Sequence, residues 1–295
     1  MTLDSSAIGQ PSPGHITVAG DSDHFVLRPC AWAGGVCDRG MVHATNQDCL
    51  AMAAGVHASA GPIAVVAVSD GVSTSAHAGE AARLAASVAA AGIADVLQVA
   101  EAMSLPDLGH RVREAFVAAN DAILAAAADE DPGSWACTLA LAVWWRGRVL
   151  AGGIGDSRCY WVPRKGTARL LTTDDSLAQA RIELGIARQV AETGAQAHAI
   201  LKWLGPGAGD PEPSLQAFDP DGPGWLVVCS DGLWNYASAP SDLQTVVREA
   251  SAGDPALGAW QLADRLVDWA NRHGGHDNVT VGVVEISPAG RPARP

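Results

Sequence analysis

Basic charge is scarce in this chain: 19 Lys and Arg stand against 32 Asp and Glu, a net charge of −13 at pH 7. A nucleic-acid groove needs clustered Lys and Arg, so that class of partner is excluded. Charged residues make up only 17% of the 295 and apolar ones 48%, enough to bury a substantial core. Long uninterrupted apolar runs are also missing. The most apolar stretch, Ala78 to Leu97, carries Glu80, Arg83 and Asp95 and reads as a buried amphipathic helix, with no membrane span expected. Met1 to Gly14 lacks the basic start and apolar core of a signal peptide. The six cysteines form no C-x-x-C pair, which argues against a zinc or disulfide framework. Cys137, Cys159 and Cys229 sit in apolar runs as small hydrophobes. Reduced thiols and no export signal give a cytoplasmic expectation. Nor does a Ser-His-Asp or Cys-x5-Arg constellation stand out, so no side-chain nucleophile is indicated.

What is present is a repeated arrangement of aspartates. Val65–Asp70–Gly71, Gly152–Asp156–Ser157–Arg158, Val227–Asp231–Gly232 and Gly274–Asp277–Asn278 each set an aspartate at the end of an apolar or glycine-rich run. Such a run reads as a strand delivering a carboxylate to a sheet edge. Asn46-Gln47-Asp48 adds a fifth. Carboxylates gathered at one point need cations, and hard oxygen ligands suit Mg²⁺ or Mn²⁺ rather than zinc.

Residues 1–20 read as a flexible leader, 21–287 as one domain and 288–295 as a flexible tail. Ile63–Val68 is a buried strand by its continuous β-branched run. Two helices are expected over His77–Ala100 and Pro106–Ala128, with proline tolerated in the first turn. Cys137–Trp145 with Val149–Gly153, and Arg158–Val162 with Ala168–Leu171, read as hairpins. Trp225–Cys229 and Val279–Ile286 are strands. Ser241–Ala250, capped by Ser241, and Ala256–Arg272 are helices. Hairpins beside helix pairs, without βαβ alternation, give an antiparallel α+β fold. In a strand, the adjacent Trp144 and Trp145 must face opposite sides, one into the core and one under a helix.

Taken in order, Asn-x-Asp, Asp-Gly followed by Gly-Glu-Ala, Gly-Asp-Ser-Arg, Ser-Asp-Gly-Leu and Asp-Asn-Val-Thr-Val resemble the metal-dependent protein serine/threonine phosphatases, the PPM or type 2C family, in a divergent bacterial branch. The likeness runs from about Asp38 to Glu285 and includes Asp174-Asp175-Ser176-Leu177 and the segment ending in Leu204-Gly205. It implies two central antiparallel β-sheets sandwiched between pairs of α-helices, with metals at one end. Carried over motif by motif, Asp70 bridges two Mn²⁺ or Mg²⁺ ions and the Gly71 carbonyl binds one of them. Asp231 and Asp277 hold the first metal, Asp48 acts through metal-bound water, and Asp156 belongs to a weaker third site. The implied activity is hydrolysis of phosphoserine or phosphothreonine by a bridging hydroxide. The implied partners are phosphorylated proteins, targets of Ser/Thr kinases. A monomer is the default.

Three positions depart from the family pattern. His43 stands where the family has a phosphate-binding Arg, and an imidazole replaces a bidentate fork with one donor. Its two readings, phosphate ligand and plain strand residue, stay open; Arg39 and Arg158 are the other candidates for the anion. Gln47 replaces a Glu. The loop Asp70-Gly71-Val72-Ser73-Thr74-Ser75 lacks the family's general-acid His, for which His77 is a candidate replacement, an exposed residue at a helix start being the other reading. Residues 177–201, short helical pieces broken by Gly185 and Gly194, read as a flap bordering the substrate entrance. Asn278 is expected to brace its loop. A second function remains in view, a catalytically weak phosphatase-fold regulatory or binding module, favoured by His43 and the rewritten loop.

Overall fold

The computed structural model describes residues 15–19, 23–100, 102–129, 131 and 133–287. The β-branched run at its centre extends to Gly61–Asp70 (β5) and pairs antiparallel with Asp48–His57 (β4), which sets Asp48 opposite Asp70. The hairpin Leu139–Trp145 (β6) and Arg148–Ile154 (β7) lies on the far side of β5. It turns through Arg146 and Gly147, both at positive φ. Thr17–Val18 (β1) and Ser214–Phe218 (β10) form the edges of this first six-stranded sheet. The second sheet runs, edge to edge, through His24–Cys30 (β2), Ala33–Asp38 (β3), Val279–Ile286 (β12), Gly224–Cys229 (β11), Arg158–Pro163 (β8) and Arg169–Leu170 (β9). Every ladder in both is antiparallel.

Helices cover the outer faces. Ala78–Val99 (α1) and Leu105–Ala126 (α2) pack on the first sheet. The buried face of α1 is almost all alanine, which lets it approach the sheet closely. Ser104 caps α2 by accepting from the Asp107 amide. Asp231–Trp234 (α5), Pro240–Ser251 (α6) and Ala259–Arg272 (α7) cover the second sheet. Leu177–Glu183 (α3) and Arg188–Thr193 (α4) occupy the expected flap, where Ala178, Ala191, Ala197 and Ile182 form a small core of their own. The α+β expectation of two antiparallel sheets between helices holds.

Several elements differ from expectation. The hairpin β2–β3 and the edge strand β10 lie where no element is expected from the sequence. Of the leader, Thr17 and Val18 pair with Met52 and Ala51; residues 1–14, 20 and the tail 288–295 lie outside the described residues. Ser241 is not a cap: Pro240 occupies the first turn and Ala239 the cap position, without a side-chain bond.

Trp144 enters the core between the sheets, edge-on to Trp32 at 5.5 Å, while Trp145 lies under the α1–α2 pair. Where β3 and β12 cross the first sheet, glycine is required. A Cβ on Gly282 would lie 2.4 Å from Val66 Cγ1, and one on Gly35 2.6 Å from Leu50 Cδ2. Gly282→Ala is therefore expected to cost about 1–3 kcal/mol in urea unfolding, the usual penalty of overpacking. Exposed Gly92, within α1 with nothing near its Cβ position, should give the opposite sign: Gly92→Ala gains up to about 1 kcal/mol of helix propensity.

Candidate metal centre

Strand registers bring the aspartates together. Asp48 begins β4 and Asp70 ends β5, paired across the ladder. Asp156 follows β7 in the turn to β8, and the start of β8 pairs with the end of β11, which Asp231 follows. Cys229 pairs in turn with Val281 near the start of β12, just past Asp277. All five carboxylates thus emerge at one end of the sandwich. Asp70, Asp156, Asp231 and Asp277 line one cleft of about 470 Å³, closed on its other sides by Val72–Ser75, Gly133, Ala136, Trp203, Pro206 and residues 198–200. Asp48 stands behind them and opens on a second recess of about 360 Å³ with Asn46, Glu80 and Arg83.

Neutral side chains hold this arrangement, Asn278 as expected and the others without having been singled out in the sequence. Thr138 joins two of the aspartate loops: its Oγ1 accepts from the Asp70 amide at 3.0 Å and lies 2.7 Å from Ser157 Oγ. Its own amide donates to the Asp70 carbonyl. Ser230 Oγ donates to Asp48 Oδ2 at 2.7 Å and accepts from the Thr280 amide. Trp234 Nε1 donates to the Asp156 carbonyl at 2.8 Å. Asn278 braces three strand ends, accepting from the Gln47 amide and donating to the Arg39 and Thr45 carbonyls. Asn278 was expected in this role, Ser230, Ser157 and Thr280 lie inside their motifs, and Thr138 and Trp234 left no local trace in the sequence.

Burial raises the pKa of Asp70 well above the ordinary carboxylate range, and repulsion from Asp48, Asp231, Asp156 and Asp277 raises it further. Burial likewise pushes up Asp156, with Asp231 and Asp174 adding to it. Burial raises Asp48 against the hydrogen bonds from Ser230 and Thr280. Asp231 rises through burial and the charge of Asp277. Among the described residues lining the cleft there is no Lys or Arg to neutralise them. Asp48 Oδ1 and Asp231 Oδ1 are buried without a hydrogen-bond partner. Among the described residues no three His, Cys, Asp or Glu side chains are drawn into a ready cage; Ser230, Asn235 and the Asn278 amide each donate to one carboxylate, Asp48, Asp231 and Asp277. The donor set is nonetheless all hard oxygen, with one buried oxygen each of Asp48 and Asp231 unpartnered among the described residues, and it fits Mg²⁺ or Mn²⁺.

The nitrogen bases are distributed differently from expectation. His43 Nε2 lies 3.3 Å from Asp277 Oδ1, beside the cleft. Arg39 is engaged by the His43 carbonyl and by Asp23. Arg158 is not available for an anion: it is 2% exposed, paired with Asp174 at 2.6 Å, bonded to Tyr160 and Ser238, and stacked 3.6 Å over Trp234. Burial opposes its charge, but Tyr160 and Asp174 outweigh that and hold it firmly protonated. His77 stacks on Trp135 at 4.8 Å, near Glu80, and does not line the cleft. The histidine that does is His198, in the flap.

The chain matches the family model described as protein phosphatase 2C over residues 40–269. It is similar to the serine/threonine phosphatase stp of Listeria welshimeri, 29% identical over 55% of this chain and 62% of that one. It is similar also to the serine/threonine protein phosphatase PstP of Mycobacterium tuberculosis, 29% identical over 84% of this chain and 44% of PstP. The matches thus span less than two thirds of these relatives' length. A solved catalytic domain of PstP, in complex with 2 manganese ions, superposes with a TM-score of 0.63 at 26% identity, over 92% of this chain and all of that domain. With the fold, the aspartate order and a family match covering most of its length in agreement, this chain belongs to the protein phosphatase 2C family.

Proposed function

We propose that the chain is a metal-dependent phosphoprotein phosphatase acting on phosphoserine and phosphothreonine. The observation that carries the reading is the group of four aspartates, Asp156 buried and Asp70, Asp231 and Asp277 partly so, that line one cleft whose described lining has no Lys or Arg. Relatives named serine/threonine phosphatases, one of them solved with manganese, support the substrate class and the metal. Two Mn²⁺ or Mg²⁺ ions, held by Asp70, the Gly71 carbonyl, Asp231, Asp277 and Asp48, would acidify an attacking water and neutralise phosphate oxygens. Asp156 would add a weaker third site.

The chain's own groups supply position. Thr138 and Asn278 fix where the carboxylates stand, and Ser230 keeps one oxygen of Asp48 turned away from the orphaned one. His43, 3.3 Å from Asp277, would offer one donor to an outer phosphate oxygen. The flap residues 198–200 and Trp203 form a wall that a phosphorylated segment of protein would meet on entry. The substrates would be products of Ser/Thr kinases, met by a monomeric enzyme in the cytoplasm. One helix, α1, is long and apolar enough to cross a membrane, but its alanine face is buried against α2 and the first sheet.

The second reading, a binding module with weak turnover, is favoured by His43 being drawn to Asp277 and by the rewritten loop after Asp70. Hydrolysis of a chromogenic phosphoester with Mn²⁺ and with EDTA separates the two. Turnover that EDTA abolishes supports the enzyme, and none in either condition supports the module. Within the enzyme, Asp70→Asn removes a charge shared by two cations and is expected to lower kcat/KM at least about a hundredfold. Normal activity at saturating Mn²⁺ would reject the two-metal assignment. Asp156→Ala is expected to keep both tight sites in calorimetric Mn²⁺ titration while lowering turnover.

The carboxylates also predict a pH dependence. An acid whose pKa is higher in the fold than in the open chain grips its proton more tightly when folded. Its contribution to stability is complete below the open-chain value of 3.8 and is lost as pH rises through the folded value, about 7 for Asp48. Cations compete for the same oxygens. In EDTA the melting temperature should therefore fall across that window, and the increase produced by Mn²⁺ should grow with pH. A Mn²⁺ effect that does not vary with pH would contradict this.

A further inference from the structure

Residues 197–201 are the best-secured part of the flap. The Ala197 and Ala199 carbonyls accept from the Ala178 and Leu177 amides, and the Leu201 amide donates to the Asp175 carbonyl. Asp175 in turn accepts through Oδ2 from the Gly155 amide, next to Asp156. The strand-like bridge between Ser176 and Ile200 completes the attachment. His198 is thus carried by backbone tied directly to the loop of a cleft carboxylate. Its ring lies 6.1 Å from that of Trp234, the indole bonded to the Asp156 carbonyl. It stands close enough to Asp231 to favour that carboxyl's charged form.

Among the described residues lining the cleft, His198 is the one nitrogen base. The other lining groups that can move a proton are carboxylates, already committed to the metal centre in the reading above, and weakly acidic hydroxyls. We propose that His198 is a catalytic residue of this chain, the proton donor to the leaving oxygen of the phosphoester. The step rests on the phosphatase reading and balances as follows. The phosphorus–oxygen bond to the serine or threonine side chain breaks and one to water forms. The attacking water releases a proton to solvent, the departing oxygen takes the proton of the His198 ring N–H, and the imidazole regains one from solvent. A flap-borne acid would reach the site only when the flap segment and substrate are both in place.

Leaving-group chemistry tests this without relying on a titration. An alkoxide needs a proton to depart, whereas p-nitrophenolate leaves without one. His198→Ala and wild type are compared at saturating Mn²⁺ on a phosphoserine peptide and on p-nitrophenyl phosphate. The expected loss in kcat is about 10²-fold on the peptide, within the range for a general acid, and at least about tenfold smaller on the nitrophenyl ester. His198 is exposed, so its replacement should not unfold the chain; a thermal melt checks this. Equal losses on the two substrates, as a merely structural role would give, or no loss on either, overturn the assignment while leaving the phosphatase reading intact. So does the same selective loss appearing in His77→Ala but not in His198→Ala. Wild type that turns over neither ester with Mn²⁺ overturns the phosphatase reading itself, and this assignment with it.

Discussion

Mutual repulsion among Asp48, Asp70, Asp156, Asp231 and Asp277 is the constraint to which the rest of the molecule answers. Burial and like charge both disfavour the ionised forms of Asp48, Asp70, Asp156 and Asp231 at one end of an apolar sandwich. Only a rigid frame keeps them there. Two antiparallel sheets provide it, because each ladder fixes one strand end against the next. The small hydrogen bonds of Thr138, Ser230 and Asn278 then remove the remaining freedom. A buried polar network of this kind is useful only when its members are satisfied; among the described residues the Thr138, Ser230 and Asn278 side chains all have partners, and the unsatisfied carboxylate atoms are Asp48 Oδ1 and Asp231 Oδ1.

Elements whose pattern is local were legible in the sequence. The β-branched run of β5, the Ala-rich α1, the two central hairpins and the strand-to-aspartate junctions all appear near their expected places. What was not legible depends on partners distant in the chain. The β2–β3 hairpin contains Pro29, Gly34 and Gly35, which argue against strands until the need for close sheet-to-sheet contact at Gly35 is seen. The edge strand β10 is five residues long and has no fully buried position, so it has no burial period to read. Ser241 looked like a cap because its type favours that role, yet Pro240 moved the helix start one position earlier.

The site divides along the same line. All five aspartates could be placed by motif order, since each follows or precedes an apolar run. The bases could not. His77 is near the Asp70 loop in sequence but turns onto Trp135, whereas His198 is distant in sequence and reaches the cleft because the flap folds back over Asp175. Arg158, beside Asp156 in its motif, is drawn inward by Asp174 and Trp234 and serves as a buried anchor. Glu192 of α4 comes within 3.7 Å of the same guanidinium and accepts from Ser238 Oγ, so the flap shares that anchor.

Two open sheets leave four unpaired strand edges, and open edges invite other chains to add on. This fold limits that risk at each one. The strands β1 and β9 are only two residues long, too short to template an incoming partner. Edge strand β2 carries exposed His24 and exposed Arg28 followed by Pro29, which has no amide hydrogen to offer. Edge strand β10 begins just after Pro211 and Pro213 and exposes Gln216 at its middle. The four edges of this open sandwich are thus two-residue strands, a strand interrupted by proline, or a strand that follows prolines and exposes polar side chains, each of which disfavours the addition of a further strand without the sheets having to close into a barrel.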